Sequence, residues 1–175
     1  MPRTAKKQPE KLYPLIGEAV GQLGLRLLLA YEFFESGLTK WNGENWFAEI
    51  QDQFPFPFSL FSPDANWYAA MGTELLFPVL LLLGLFTRFS AFALMVLTAV
   101  AWYAVHAGNG YNIGQGGYKL SLMYIVMLLP LLGQGAGALS LETLPQRQIN
   151  RFFNADEAGR FQASFFNLFY WSTPL

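Results

Sequence analysis

The sequence predicts an all-α integral membrane protein: a four-helix antiparallel bundle, both termini cytoplasmic, with an amphipathic helix in the C-terminal tail. Three observations predict it. Residues 89–105 and 120–141 carry no charge, and 65–87 carry only Glu74; about 20 mostly apolar residues suffice to cross the hydrocarbon as a helix. The 175-residue chain is 53% hydrophobic and only 13% charged, against roughly 25% charged in soluble domains. The third observation is that the basic residues are sorted by segment. Arg3, Lys6, Lys7 and Lys11 precede the first span, Arg88 sits between the second and third, and Arg147, Arg151 and Arg160 follow the fourth. The loops between place no Lys or Arg at 41–64 or 107–118. Under the positive-inside rule the basic segments are cytoplasmic and the two loops face outward, which for a bacterial protein means the inner membrane.

The chain divides into a cytoplasmic N-terminal segment (1–13), a four-helix transmembrane domain (14–144) and an amphipathic cytoplasmic tail (145–175). No uninterrupted apolar run follows Lys11, so the start does not read as a cleavable signal peptide. The first span, about 14–40, is interrupted by Glu18, Arg26, Glu32 and Glu35, but Leu27, Leu28, Leu29, Phe33 and Phe34 leave a wide apolar face. Its charged groups are therefore expected to face protein rather than lipid. In the acidic loop that follows, Phe54-Pro55-Phe56-Pro57-Phe58 denies a helix and offers rings for shallow burial. Trp41, Trp46 and Trp67 lie where an outer aromatic belt is expected. Gly84 and Arg88 mark a tight helix hairpin. The Gly-rich stretch 108–117 reads as turns; no strand precedes it and no Gly-Lys-Ser/Thr closes it, so it is not a phosphate loop. In the tail, Phe161, Phe165, Leu168 and Phe169 recur at helical spacing, which fits a helix lying on the inner leaflet or docking a partner subunit.

Composition also excludes chemistry. With no cysteine there are no disulfides, thiolate metal sites, iron–sulfur clusters or thiol nucleophiles. One histidine cannot supply a His/His haem pair. A net charge of −1 gives no basic field for nucleic acid.

Ionisable residues inside a membrane cost about 2.5–3.5 kcal/mol each at the bilayer centre and mark ligand or proton paths when they persist. Counting at 1.5 Å per residue from an entry near Leu15 places Arg26 close to the midplane and Glu32, Glu35 and Glu74 in the outer half. Lys40, His106 and Lys119 then fall near the outer surface. At 100° per residue Arg26, Ala30, Phe33, Gly37 and Lys40 share one stripe, with Glu32 and Glu35 on a neighbouring face. The expected pairing is Arg26 with Glu74, leaving Glu32 and Glu35 for Lys40, Lys119 or a ligand. The bland alternative is a set of ion pairs that fix helix register. Arg26, Glu32, Glu35, Lys40, Glu74 and Lys119 are thus the candidate pocket residues. A second candidate set, His106 with Met71 and Met123, has the imidazole and soft thioethers that suit copper, although methionines at helical spacing commonly pack cores.

With these residues placed, the chain resembles the DoxX-like family of small four-helix membrane proteins. The likeness rests on Arg26-Leu27-Leu28-Leu29-Ala30, Gly37-Leu38-Thr39-Lys40, the proline-bearing loop at Phe54-Pro55-Phe56-Pro57, Glu74, Gly84-Leu85-Phe86-Thr87-Arg88 and Lys119-Leu120-Ser121-Leu122. It covers about residues 23–144. The resemblance implies an inner-membrane protein linked to redox processes, an accessory and non-catalytic subunit of a quinone-linked or other redox assembly, with quinone as the implied cofactor. Tyr31-Glu32-Phe33-Phe34-Glu35 and the Phe-Pro loop also look like a subset found beside genes for copper-binding modified-peptide maturation, which implies copper handling instead. The third expectation is an assembly factor, holding a membrane complex or a second copy of the chain through its tail.

The expected mechanism follows from the charges. Arg26 and Lys119 would stabilise negative charge on a polar or quinone-like head group, and Glu32 or Glu74 would relay protons.

Overall fold

A chain with this little charge can satisfy its backbone in an apolar setting only from within, and helices do so segment by segment. The computed structural model describes residues 12–141, and among them every regular element is helical. The proposed tail at 145–175 and residues 1–11 lie outside the described residues.

Four α-helices dominate: α1 Leu12–Asn42, α2 Pro63–Leu83, α3 Thr87–Ala101 and α4 Lys119–Gln134. The longest is α1, at 31 residues or about 46 Å. Helix α2 begins where the sequence supplies a start signal: Ser62 Oγ accepts the Ala65 N–H at 3.2 Å, Pro63 opens the first turn and Asp64 faces the positive helix end. It stops at Gly84, whose φ of +67° favours glycine. Helix α3 continues through a π-helical turn, Trp102–His106, so that its helical run reaches Asn109.

Each helix packs against the next, and α1 also meets α4. Cross-helix contacts fix the directions. Gln22 of α1 donates to Gln134 near the end of α4 at 2.6 Å, whereas Glu32 accepts from Tyr124 earlier in α4. The two helices therefore run antiparallel, and Arg26 and Lys40 meet α2 in the same descending order. Leu29, Phe33, Leu81, Leu94, Leu128 and Leu131 form the core between them. A second cluster of Phe47, Phe54, Trp67, Ala70 and Ala104 caps the end away from the Gly84 hairpin.

The outer surface is apolar as well. Leu27, Leu28, Leu76, Val79, Phe92 and Val126 are all exposed. Only 39% of the apolar window of α2 and 28% of that of α3 is buried within the protein. Both helical runs, Pro63–Leu83 and Thr87–Asn109, are long and apolar enough to cross a membrane. A water-soluble protein would turn such faces inward.

Two expectations are revised. The apolar run at 120–141 is not one helix: α4 ends at Gln134 after 16 residues. Gly135 and Gly137 take φ values of +83° and +71°, and the chain folds back until the Leu141 N–H reaches the Leu83 carbonyl at 3.2 Å. Nor is Trp67 a belt residue. It is buried, its ring edge-on to Phe47 with centroids 5.1 Å apart, because the first loop folds inward over the helix ends rather than lying flat.

Candidate functional site

At the end of the molecule opposite the Gly84 hairpin, a cavity of about 820 Å³ opens among all four helices. Its position follows from the first loop. A short 3-10 segment, Phe47–Gln53, swings the chain back across the helix ends. Phe54 is buried against Phe47, with ring centroids 5.2 Å apart, while Phe56 stays 80% exposed. The Asn66 amide pins the returning strand of loop by donating to the Phe58 carbonyl at 2.9 Å. Trp46, Phe47, Phe54 and Phe58 thereby form an aromatic roof, and the π-helical turn supplies Ala104, Val105 and His106 to the opposite wall.

Polar chemistry gathers on the α1–α2 side. Lys40 Nζ lies 2.8 Å from Glu74 Oε1 and 2.7 Å from Oε2, and its third partner is Ser36 Oγ at 3.1 Å. Ser36 itself donates to Glu74 Oε1 at 3.1 Å. The side chains of Lys40 and Glu74 are only 15% and 8% exposed, so the pair is a nearly dry ion pair. Gly37 makes the approach of α1 to α2 possible here: a Cβ at this position would lie 2.8 Å from Leu75 Cδ2 and 3.0 Å from the Glu74 backbone carbon. On the far side, Tyr124 OH donates to Glu32 Oε2 at 2.5 Å, within the range of a charge-assisted bond. Glu35 also lines the cavity and is exposed.

Of the six candidate pocket residues, Glu32, Glu35, Lys40 and Glu74 line the cavity, Arg26 and Lys119 do not, and the pairing differs from the expected Arg26–Glu74. Arg26 does not meet Glu74. It is 2% exposed and lies beside the last turn of α2, two turns away, where its guanidinium donates only to carbonyl oxygens. Nε reaches Leu81 O at 2.8 Å, Nη2 reaches Leu82 O at 2.6 Å, and Nη1 reaches Ala136 O at 3.0 Å and Leu139 O at 2.8 Å. These are carbonyls of a helix end and of the fold-back after α4; Leu81 O also accepts the Gly84 N–H at 3.1 Å. The reason is length. Because α1 starts at Leu12 and exceeds one membrane thickness, its entry point cannot be read by counting. On the same stripe, Lys40 is the cation that stands level with Glu74.

Lys119 does not line the cavity either; its ammonium lies over the Tyr111 ring, 5.5 Å from the centroid. The stripe Arg26, Ala30, Phe33 and Gly37 is buried as expected. Of the copper candidates, only His106 reaches the cavity, and its Nδ1 is 2.7 Å from the Gly116 carbonyl oxygen. Met71 and Met123 are not among the lining residues. Among the described residues no group of three His, Cys, Asp or Glu side chains is placed to hold a metal ion.

Sequence reasoning missed Ser36 and Tyr124, the two hydroxyls that complete the polar cluster. Ser36 lies four residues before Lys40 on α1, a spacing that puts both on one face, so a signal was present. No comparable signal pointed to Tyr124.

The DoxX family model matches residues 21–107, from before Arg26 to just past His106. The chain belongs to the DoxX family. An uncharacterised protein of Haemophilus influenzae is 63% identical over 129 residues, covering 74% of this chain and 85% of that protein. A second uncharacterised protein of the same organism is 35% identical over 138 residues, covering 74% of this chain and 88% of its own length. No solved structure matches. Membership makes this a membrane protein, in keeping with apolar helices that turn most of their surface outward. Of the DoxX-like features quoted from the sequence, Glu74 lies in the cavity wall, Gly84 makes the left-handed hairpin turn, and Arg26 ties that turn to the fold-back.

Proposed function

We propose that this DoxX protein binds the ring head group of a quinone-type amphiphile in the loop-end cavity, as an accessory subunit of a membrane redox assembly. All four helices cross the bacterial inner membrane in this reading, with both termini and Arg88 cytoplasmic and the cavity in the outer half. The observation that carries it is the cavity itself: a space of ligand size, walled by aromatic rings, with the Lys40–Glu74–Ser36 cluster at one side. A flat apolar ring fits between Phe and Trp side chains, and a small number of polar groups orients it.

The structure changes which residues would act. Arg26 is engaged with four carbonyls and belongs to the opposite end of the molecule. Lys40 is the cation within reach of a head group, Glu74 holds it in place, and Glu32 and Glu35 are the groups that exchange protons with a bound ring. Catalysis of electron transfer is left to a partner subunit.

The test is a titration of purified protein with a decyl-substituted benzoquinone and, separately, with its hydroquinone. Intrinsic tryptophan fluorescence is the readout, because Trp46 forms part of the roof. Saturable quenching by at least one form is expected, and its loss in the double variant Lys40→Met/Glu74→Leu. Absence of saturable binding by both forms overturns the proposal.

A further inference from the structure

We infer that the cavity selects its ligand by hydrogen-bond polarity: it takes a head group that donates hydrogen bonds, and so prefers the reduced, dihydroxy form of the ring over the oxidised dione. This rests on the reading of the cavity as a head-group site and adds to it a direction of preference.

The inference comes from an inventory of the lining. Most of its donors are already engaged inside the protein. Lys40 Nζ donates to Glu74 Oε1 and Ser36 Oγ and lies 2.7 Å from Glu74 Oε2, which is itself buried without a hydrogen-bond donor among the described residues. The Ser36 hydroxyl donates to Glu74, the Tyr124 hydroxyl to Glu32 and the Asn66 amide to the Phe58 carbonyl. Thr39 Oγ1 donates to the Glu35 carbonyl at 3.0 Å and Thr98 Oγ1 to the Leu94 carbonyl at 2.7 Å. The lining donors left over are the indole N–H of Trp46, the second amide N–H of Asn66, one N–H of Lys40 and the hydroxyls of Thr73 and Ser121, and a hydroxyl accepts as readily as it donates.

Acceptors are left in excess, and they are strong ones. Both oxygens of Glu35 and the second oxygen of Glu32 carry no side-chain donor among the described residues. A carbonyl oxygen can only accept, so the Nδ1 of His106 facing Gly116 carries a proton and is engaged. By formal charge the lining holds three carboxylates and one ammonium. Hydrogen bonds to carboxylates are about twice as strong as neutral ones. Two ring hydroxyls can satisfy Glu32 and Glu35 where a dione, which has only acceptors, would face like dipoles and unshielded negative charge. Glu32 is half-buried and Glu35 exposed at the mouth, so the preference comes from the charge-assisted bonds a donor gains there and not from a burial penalty.

The measurement is the ratio of dissociation constants for the decyl-substituted hydroquinone and the corresponding benzoquinone, taken anaerobically on the full chain in detergent micelles. The hydroquinone should bind at least tenfold more tightly. Glu35→Gln replaces one acceptor by a donor at an exposed position where the fold does not depend on it, and should bring the ratio to threefold or less. Equal affinities, or tighter binding of the benzoquinone, overturn the polarity preference while the head-group reading stands. A ratio unchanged by Glu35→Gln overturns the assignment of the preference to that carboxylate. Failure of both probes to bind overturns the head-group reading as well.

Discussion

Arg26 and Lys40 stand fourteen residues apart on one stripe of α1, and their partners differ in kind. Among the described residues Arg26 meets no carboxylate; it gathers the carbonyls of Leu81, Leu82, Ala136 and Leu139, whose geometry suits a planar guanidinium with forked donors. Lysine has three donors on one atom and cannot reach two separate backbone segments. Arg26→Lys should therefore leave at least one buried carbonyl unmatched and cost about 1–3 kcal/mol, read as a lower midpoint in an SDS unfolding titration in mixed micelles. The Lys40–Glu74 pair makes a second, sharper prediction. Glu74→Leu strands a nearly buried ammonium and should cost about 3–5 kcal/mol, whereas Lys40→Met/Glu74→Leu should be close to wild type in stability. The same double variant has lost the polar cluster, so it separates folding from ligand binding. How far these roles were legible is clear from the two cations. The stripe was readable from 100° periodicity, and Glu74 was recognisable as an acid that needs a partner. Which cation it meets depends on axial register between α1 and α2, and no spacing within one helix encodes that.

Glycines set the register and the ends of the helices. At Gly37 an added methyl would press on Leu75 and on the Glu74 backbone, so Gly37→Ala forces α1 and α2 apart just where Lys40 meets Glu74. A loss of about 1–3 kcal/mol is expected for such overpacking, with weaker head-group binding in variants that still fold. Gly84 is more constrained. Its φ is +67°, and a Cβ would lie 2.5 Å from Ser140 Cβ and 2.7 Å from Arg26 Nη2. Gly84→Ala combines left-handed strain of about 1–2 kcal/mol with displacement of the Arg26 clamp. It should lower the SDS midpoint more than Gly37→Ala does. The hairpin was visible in the sequence because Gly84 ends an apolar run and Arg88 follows four residues later. The end of α4 was not, because Gly135 and Gly137 interrupt a stretch that stays uncharged to Leu141, and hydropathy alone does not distinguish a helix from a fold-back buried against its neighbours. The aromatic roof was hidden for a related reason: Phe54 and Phe56 are two residues apart in one motif, yet the first is buried and the second exposed.

Across the whole molecule the distribution of charge sets a length scale. Arg26 and Lys40 are separated by about 21 Å along α1 at 1.5 Å per residue, which fits inside a hydrocarbon layer of about 30 Å with each near one boundary. The 31 residues of α1 exceed that thickness, so on the proposed topology its first turns, around Glu18, extend beyond the layer on the cytoplasmic side. The exposed faces of α2 and α3 between the two levels carry Leu76, Val79 and Phe92 and are covered by lipid on this account. The absence of native cysteine makes the prediction directly measurable, since every introduced thiol reports alone. A membrane-impermeant maleimide should label Glu44→Cys in intact spheroplasts. Glu18→Cys should be labelled only after the cytoplasmic face is opened. Leu76→Cys, exposed in the isolated fold but placed at hydrocarbon depth, should resist labelling from both sides until detergent denaturation. Rapid modification of Leu76→Cys in native membranes would mean that water, not acyl chain, covers α2; the inward sorting of Lys40, Glu74 and Arg26 would then need a different cause. Labelling of Glu18→Cys in intact cells would instead invert the protein and move the cavity to the cytoplasmic half.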